Sequence, residues 1–141
     1  MRLDGMPVFA ALKDALDFNS ARSRVIAENV ANADTPGFVP RDVSGGDFAR
    51  AVEANRRGAV RATPVMTTHP GHQTAPNASS PTRTWRAEAS PDSETTIDGN
   101  AVVIEEQMSK VAETRMNYEA ALSLYQKTLG LMRLAVKPPS R

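Results

Sequence analysis

Apolar residues recur through the last third of the chain at alternating spacings of four and three, through Ile104, Met108, Val111, Tyr118, Leu122, Tyr125, Leu129, Met132 and Val136. A seam of that period predicts a helix that packs lengthwise against another helix, and only Arg115 interrupts it. The N-terminal stretch repeats the pattern through Phe9, Leu12, Leu16, Asn19, Ser23, Ile26, Val30 and Ala33. Each helix carries a second seam beside the first. Val8, Ala11, Ala15, Phe18 and Val25 flank the N-terminal one, and Ala121, Leu124, Thr128, Leu131 and Ala135 flank the C-terminal one. Two helices pairing within one chain bury only one seam each. Leaving Phe18, Val25, Leu124 and Leu131 in water forgoes about 1.5–3 kcal/mol apiece, so other subunits are expected to cover them.

Local signals set the element ends. Pro7 suits a first helical turn, where its missing N–H is unpaired in any case, so the first helix is expected from there to Asn32 or Ala33. Asn32 or Asp34 is expected to close it in a left-handed conformation. Thr35, lying before Pro36, is biased toward extended backbone. Pro36-Gly37 then predicts a type II turn that sends Phe38 back against the helix end. Between the helices the chain is rich in Pro, Gly, Ser and Thr. Only Asp47 to Arg57 there reads as helix, capped by Asp47, closed by Gly58 and carrying Phe48 and Val52 on one face; short strands are expected near Val60 and Trp85. Asp98-Gly99-Asn100 punctuates the chain before the last helix, whose Glu105, Glu106 and Glu113 precede Arg115, Lys127, Arg133 and Lys137 in the order the helix dipole favours. Pro138-Pro139 is expected to stop it. The predicted fold is mostly α. Heptad helices at the two termini pair as a coiled coil around a largely irregular Pro/Gly-rich middle, with residues 1–38 and 99–141 forming one domain and 39–98 the intervening segment.

Composition narrows the function classes. An aromatic content of 5% and a mean hydropathy of −0.39 predict a thin core. A net charge of +1 removes the electrostatic case for a nucleic-acid binder, and the mildly basic stretch Arg41 to Arg86 reads as solvated surface. There is no cysteine, so neither disulfides nor thiol chemistry contribute. Asp4, Lys13, Asp14 and Asp17 interrupt any apolar leader, so no cleaved signal peptide is expected. No apolar run approaches the ~18 residues that span a bilayer. His69-Pro70-Gly71-His72 is the one histidine cluster, and its nearest acids, Glu53 and Glu88, are distant in sequence; a surface turn is expected, with no metal and no catalysis. No nucleophile elbow, phosphate loop or His-Glu-x-x-His is present. Arg115 is either a register-setting polar residue or one whose charge reaches the helix edge.

The run Asn29-Val30-Ala31-Asn32-Ala33-Asp34-Thr35-Pro36-Gly37-Phe38, directly after a heptad helix, resembles the signature of the bacterial flagellar rod, hook and hook-associated axial proteins. Asn29, Asn32, Thr35, Pro36, Gly37 and Phe38 carry it, and Arg41 matches the basic residue that tends to follow. Short length, Thr68-His69-Pro70-Gly71-His72, and Asp98-Gly99-Asn100 before a helix with Glu106, Met108, Ala112 and Tyr118 look most like a proximal rod subunit. Two sister types of such subunit remain open.

The resemblance implies a coiled-coil domain inside a helical tube that transmits torque and encloses a channel, with unfolded export through the flagellar type III secretion route. It implies partners: further copies of the chain, other rod subunits, the rod-to-ring adaptor, and the inner-membrane ring and export gate, with a place in the periplasmic rod. It implies no enzymatic activity, cofactor, small-molecule substrate, nucleic acid or membrane span. In such an assembly the seam residues Leu12, Leu16, Ile26, Val30, Ile104, Met108, Val111, Tyr118, Leu122, Tyr125, Leu129 and Met132 are expected at helix contacts. A non-flagellar helical adaptor using the same seams is opposed only by the Asn-Thr-Pro-Gly segment.

Overall fold

The computed structural model describes residues 6–57 and 84–136. Helix α1 spans Pro7–Ala31, strand β1 Arg41–Val43, helix α2 Gly45–Arg57, strand β2 Ala87–Ala89 and helix α3 Ile104–Val136. The described chain is therefore mostly helical. At about 1.5 Å per residue, the 25 residues of α1 extend ~37 Å and the 33 of α3 ~50 Å.

Contacts along α1 and α3 set their relative direction. Phe9 stands edge-on to Tyr125 at 5.6 Å, Arg22 reaches Glu113 and Asn29 reaches Gln107. Numbers rise on one helix as they fall on the other, so the pair is antiparallel. From α1 the contact face takes Phe9, Leu12, Asn19, Ile26 and Asn29, all buried, with Leu16 and Val30 half-buried. From α3 it takes Gln107, Thr114 and Ala121, each a heptad apart. These lie one residue, about 100° of helix rotation, from the column Met108, Arg115, Leu122 and Leu129. In the single chain Ile104, Met108, Val111 and Tyr118 are exposed, while Leu122, Tyr125, Leu129 and Met132 are half-buried. Arg115 is 79% exposed and pairs with Glu119 at 3.3 Å on the helix surface, which favours the edge reading of that residue.

Three local expectations are corrected. No non-glycine residue among those described has positive φ, so α1 does not close through a left-handed Asn32 or Asp34. Asn32 sits instead at φ −106°, and its N–H is shared by the carbonyls of Glu28 and Asn29. The backbone tightens by short-range bonds, which spares a side chain the left-handed penalty. Helix α2 begins at Gly45, two residues ahead of Asp47, which lies inside the first turn near the positive helix end and pairs with Arg50. Strand β1 is the third, since Arg41–Val43 lies where no strand is expected from the sequence. Strand β1 pairs antiparallel with β2 in the register Arg41↔Ala89, Asp42↔Glu88 and Val43↔Ala87. β2 answers to the strand expected near Trp85; the strand near Val60, the Gly58 stop, His69 and His72, and Pro138-Pro139 lie outside the described residues.

The small sheet and α2 cap one side of α1 through an aromatic cluster. Phe18 lies 5.0 Å from Phe48 and 5.3 Å from Trp85 between ring centroids. Asn55 ties α2 to α1 through Asp14 at 2.7 Å. The core is thin, and buried Val43, Ala51 and Ala101 complete it.

Candidate assembly site at the helix-end corner

Where α1 ends and α3 begins, two turns face each other. In the first, the Phe38 N–H donates to the Thr35 carbonyl at 3.2 Å across Pro36-Gly37, and Gly37 has φ +71°. That is the predicted type II turn, with Pro presetting its first central position and Gly tolerating positive φ at its second. In the second, the Gly99 N–H donates to Thr96 at 2.9 Å, and Gly99 has φ +84°. Two backbone bonds join the turns, from Gly37 N–H to the Asp98 carbonyl and from Ala101 N–H to the Phe38 carbonyl, both 3.0 Å.

Asn100 locks this corner. Only 2% exposed, it aims its amide nitrogen at the carbonyls of Asn32, Ala33 and Thr35, at 3.0, 2.8 and 2.7 Å. An amide NH2 has two hydrogens, so one is shared between two carbonyls. Its oxygen accepts from the Val102 N–H at 2.8 Å. One side chain thus ties three carbonyls of the turn that follows α1 to the start of α3.

A buried polar relay runs beside the clamp. Asn29, 1% exposed, donates to the Arg41 carbonyl at 2.7 Å and accepts from the Arg41 N–H at 3.0 Å, imitating a neighbouring strand at the start of β1. It also donates to Gln107 Oε1 at 3.0 Å, and Gln107 donates to Asp92 Oδ2 at 2.7 Å. The Val103 N–H and Lys110 Nζ also donate to Asp92, at 2.9 and 2.7 Å. Burial pushes the Asp92 carboxyl up, but its hydrogen bonds from Lys110, Gln107 and Val103, together with the Lys110 charge, outweigh that and hold it below the usual aspartate value. Farther along α1, Arg22 binds Asp42 through two nitrogens at 2.9 and 3.0 Å and Glu113 at 3.2 Å. Hydrogen bonding to Asp42 dominates and holds the guanidinium charged against the cost of its burial.

Of the motif residues, Asn29 is buried and Asn32 and Phe38 are half-buried, while Thr35, Pro36 and Gly37 face solvent on the turn. Asn32 and Thr35 bond to each other at 3.2 Å, and Asn32 returns a bond to the Glu28 carbonyl. Sequence reasoning did not assign Asn100, Gln107, Asp92, Arg22 or Asp42. For Gln107 a signal existed, since Gln107, Thr114, Ala121 and Thr128 form a small and polar column at heptad spacing beside the apolar seam. The hydroxyls of Ser93 and Thr96 donate to the carboxylates of Glu106 and Asp98 near this corner, and no cluster of three metal ligands occurs among the described residues. The chemistry of the corner is that of a rigid joint.

Residues 13–38, the greater part of α1 with the turn, match the family described as "Flagella basal body rod protein". The chain is 30% identical over 123 residues to the flagellar basal body rod protein FlgB of Escherichia coli K12, covering 86% of this chain and 88% of that one. The chain belongs to the FlgB family of flagellar basal body rod proteins. Similar likenesses hold to FlgB of Aeromonas hydrophila, 30% identical over 84% of this chain and 85% of that one, and of Cereibacter sphaeroides, 28% identical over 87% and 88%. Membership in the FlgB family separates the two sister types that the motif alone left open. The family match ends at Phe38, and the clamp that holds this region comes from Asn100, more than sixty residues later in the chain.

Proposed function

We infer that this chain is a structural, non-enzymatic subunit of the proximal rod of the bacterial flagellar basal body. The observation that carries the reading is the likeness to FlgB along 86% of the chain. A shaft that bears torque needs stiff elements joined without hinges. The clamp, the double turn and the buried relay supply such a joint, because each bond fixes backbone from one helix end against the other.

Within this reading, α1 and α3 act as a coiled-coil pair. Residues 1–38 and 99–141 form one domain, with 39–98 inserted between them. Ile104, Met108, Val111 and Tyr118, exposed in the single chain, are covered by neighbouring subunits. The half-buried Leu16, Val30, Leu122, Tyr125, Leu129 and Met132 complete those contacts beside buried Leu12 and Ile26. The neighbours are further copies, other rod subunits, the rod-to-ring adaptor, and the inner-membrane ring and export gate, at a periplasmic rod reached without a cleaved signal peptide. No helix among the described residues is long and apolar enough to cross a membrane.

Deleting the gene in its own bacterium is expected to abolish swimming, and a plasmid copy to restore it, with the chain found by mass spectrometry in purified basal bodies. A deletion strain that swims normally and builds complete basal bodies overturns the reading.

A further inference from the structure

We propose that Asp98-Gly99 is a site of backbone isomerisation to isoaspartate in the unfolded chain, and that closing of the helix-end corner protects it. The inference stands on the corner itself and needs nothing from the rod reading.

The sequence holds two Asp-Gly pairs, Asp4-Gly5 and Asp98-Gly99, and no Asn-Gly. Glycine after aspartate favours this reaction, because a residue without Cβ leaves its amide nitrogen open to the preceding side chain. The Gly99 nitrogen attacks Asp98 Cγ, its proton and the carboxyl hydroxyl leave as water, and a cyclic imide forms. Water then opens the imide. Cleavage at Cγ restores aspartate, whereas cleavage at the main-chain carbonyl leaves the chain running through Cβ and Cγ, longer by one backbone atom. One water leaves and one returns, so the step consumes no oxidant or other co-reactant.

Asp98 and Gly99 are both exposed, so water reaches them. Geometry restrains them. The reacting peptide is held at both ends, its Gly99 N–H donating to the Thr96 carbonyl at 2.9 Å and its Asp98 carbonyl accepting from the Gly37 N–H at 3.0 Å. Attack on Cγ requires that peptide to turn and break both bonds. The carboxylate is engaged as well, by the Thr96 hydroxyl and by the Asn100 N–H at 3.4 Å. Those bonds favour the ionised form and hold the Asp98 carboxyl below the usual aspartate value, whereas departure of the hydroxyl as water needs the neutral acid. Asn100, the next residue, keeps the corner shut through the carbonyls of Asn32, Ala33 and Thr35. The product has no room there either. A Cβ on Gly99 lies 3.4 Å from Gly37 Cα, so a link longer by one atom drives the facing turns together or parts them.

The test incubates the purified full chain at neutral pH in heavy-oxygen water, in buffer where circular dichroism shows it helical and in guanidinium chloride. Peptides containing position 98 are then read by mass spectrometry, since each passage through the imide incorporates heavy oxygen and the isoaspartyl bond resists the protease Asp-N. In guanidinium, isoaspartate is expected at Asp98 and at Asp4, the internal standard. In buffer its formation at Asp98 is expected to be slower by about tenfold or more, because the reaction waits on local opening of the corner. Thr96→Val, as helical as the parent, is expected to isomerise faster than wild type in buffer, and Asn100→Ala faster again. Absence of isoaspartate at position 98 in guanidinium overturns the site. Equal rates for the helical and the unfolded wild-type chain, or a wild-type rate for Asn100→Ala, overturn protection by the corner. A wild-type rate for Thr96→Val overturns the hold on the carboxylate.

Discussion

Gly37 and Gly99 approach each other across the helix-end corner, both with φ in the left-handed region, at +71° and +84°. They differ in the space around them. A Cβ on Gly37 meets nothing within 4 Å, whereas one on Gly99 lies 3.4 Å from Gly37 Cα and 3.7 Å from its nitrogen. Gly37→Ala is therefore expected to cost backbone strain of about 1 kcal/mol, and Gly99→Ala that strain plus a displacement of the facing turn. Thermal unfolding followed by far-ultraviolet circular dichroism should show the larger drop for Gly99→Ala. Equal drops remove the close approach as a cause. The first of these glycines was legible in the sequence, because Pro36-Gly37 declares its turn through intrinsic backbone preferences. The second was legible only as punctuation. What it packs against lies sixty-two positions away, and no local pattern encodes that distance. Asn100 is a similar case: its composition marks a loop, while its function is set by three carbonyls from the far side of the chain.

Among elements, the segment before α3 shows how one buried carboxylate organises a helix start. The Asp92 side chain is 0% exposed and holds α3 through Val103, Gln107 and Lys110. Its folded pKa is depressed below the ordinary value of 3.8. Folding thus favours the carboxylate, and the stability it contributes is fully present above the ordinary value and lost as pH falls through the folded value. Wild-type chain is expected to lose helix-hairpin stability on acidification below about pH 4, and Asp92→Asn to be less stable at neutral pH with a flatter acid limb. Urea unfolding at a series of pH values measures both; parallel acid limbs for the two proteins count against the latch. The helices themselves were readable from heptad spacing and Pro7, and the α1 boundary falls within two residues of expectation. The rotation of α3 was less readable. Two adjacent columns, one apolar through Met108 and Leu122 and one polar or small through Gln107 and Thr114, compete for α1, and hydrophobicity alone favours the apolar one. The chain turns the polar column inward because Asn29 and Asp92 supply Gln107 with partners. β1, three residues long, is too short to show a period of two.

For the whole molecule that rotation has a consequence. Turning Gln107, Thr114 and Ala121 inward leaves Ile104, Met108, Val111 and Tyr118 outward, exposed to between 36% and 56%. Met116, Leu124, Leu131 and Leu134 are exposed as well. Burying side chains of this size yields about 1.5–3 kcal/mol each, which the single chain forgoes and an assembly that covers them would recover. Folding and assembly should then separate by helix face. Ala121→Asp places a carboxylate in the α1–α3 contact with no counter-charge, and a loss of about 3 kcal/mol or more in hairpin stability is expected. Met108→Asp places the same group on the outward column, where the chain's own fold should tolerate it within about 0.5 kcal/mol. Both variants should abolish swimming in the complemented deletion strain, for different reasons. Unfolding of the purified proteins distinguishes them: Ala121→Asp loses helix at markedly lower temperature, and Met108→Asp unfolds like the parent. If Met108→Asp cells swim normally, the outward column is not an assembly contact, and the exposed apolar surface needs another account. If Met108→Asp instead unfolds early, the column belongs to the internal seam, and α3 is rotated in solution toward the face that its hydrophobic periodicity alone selects.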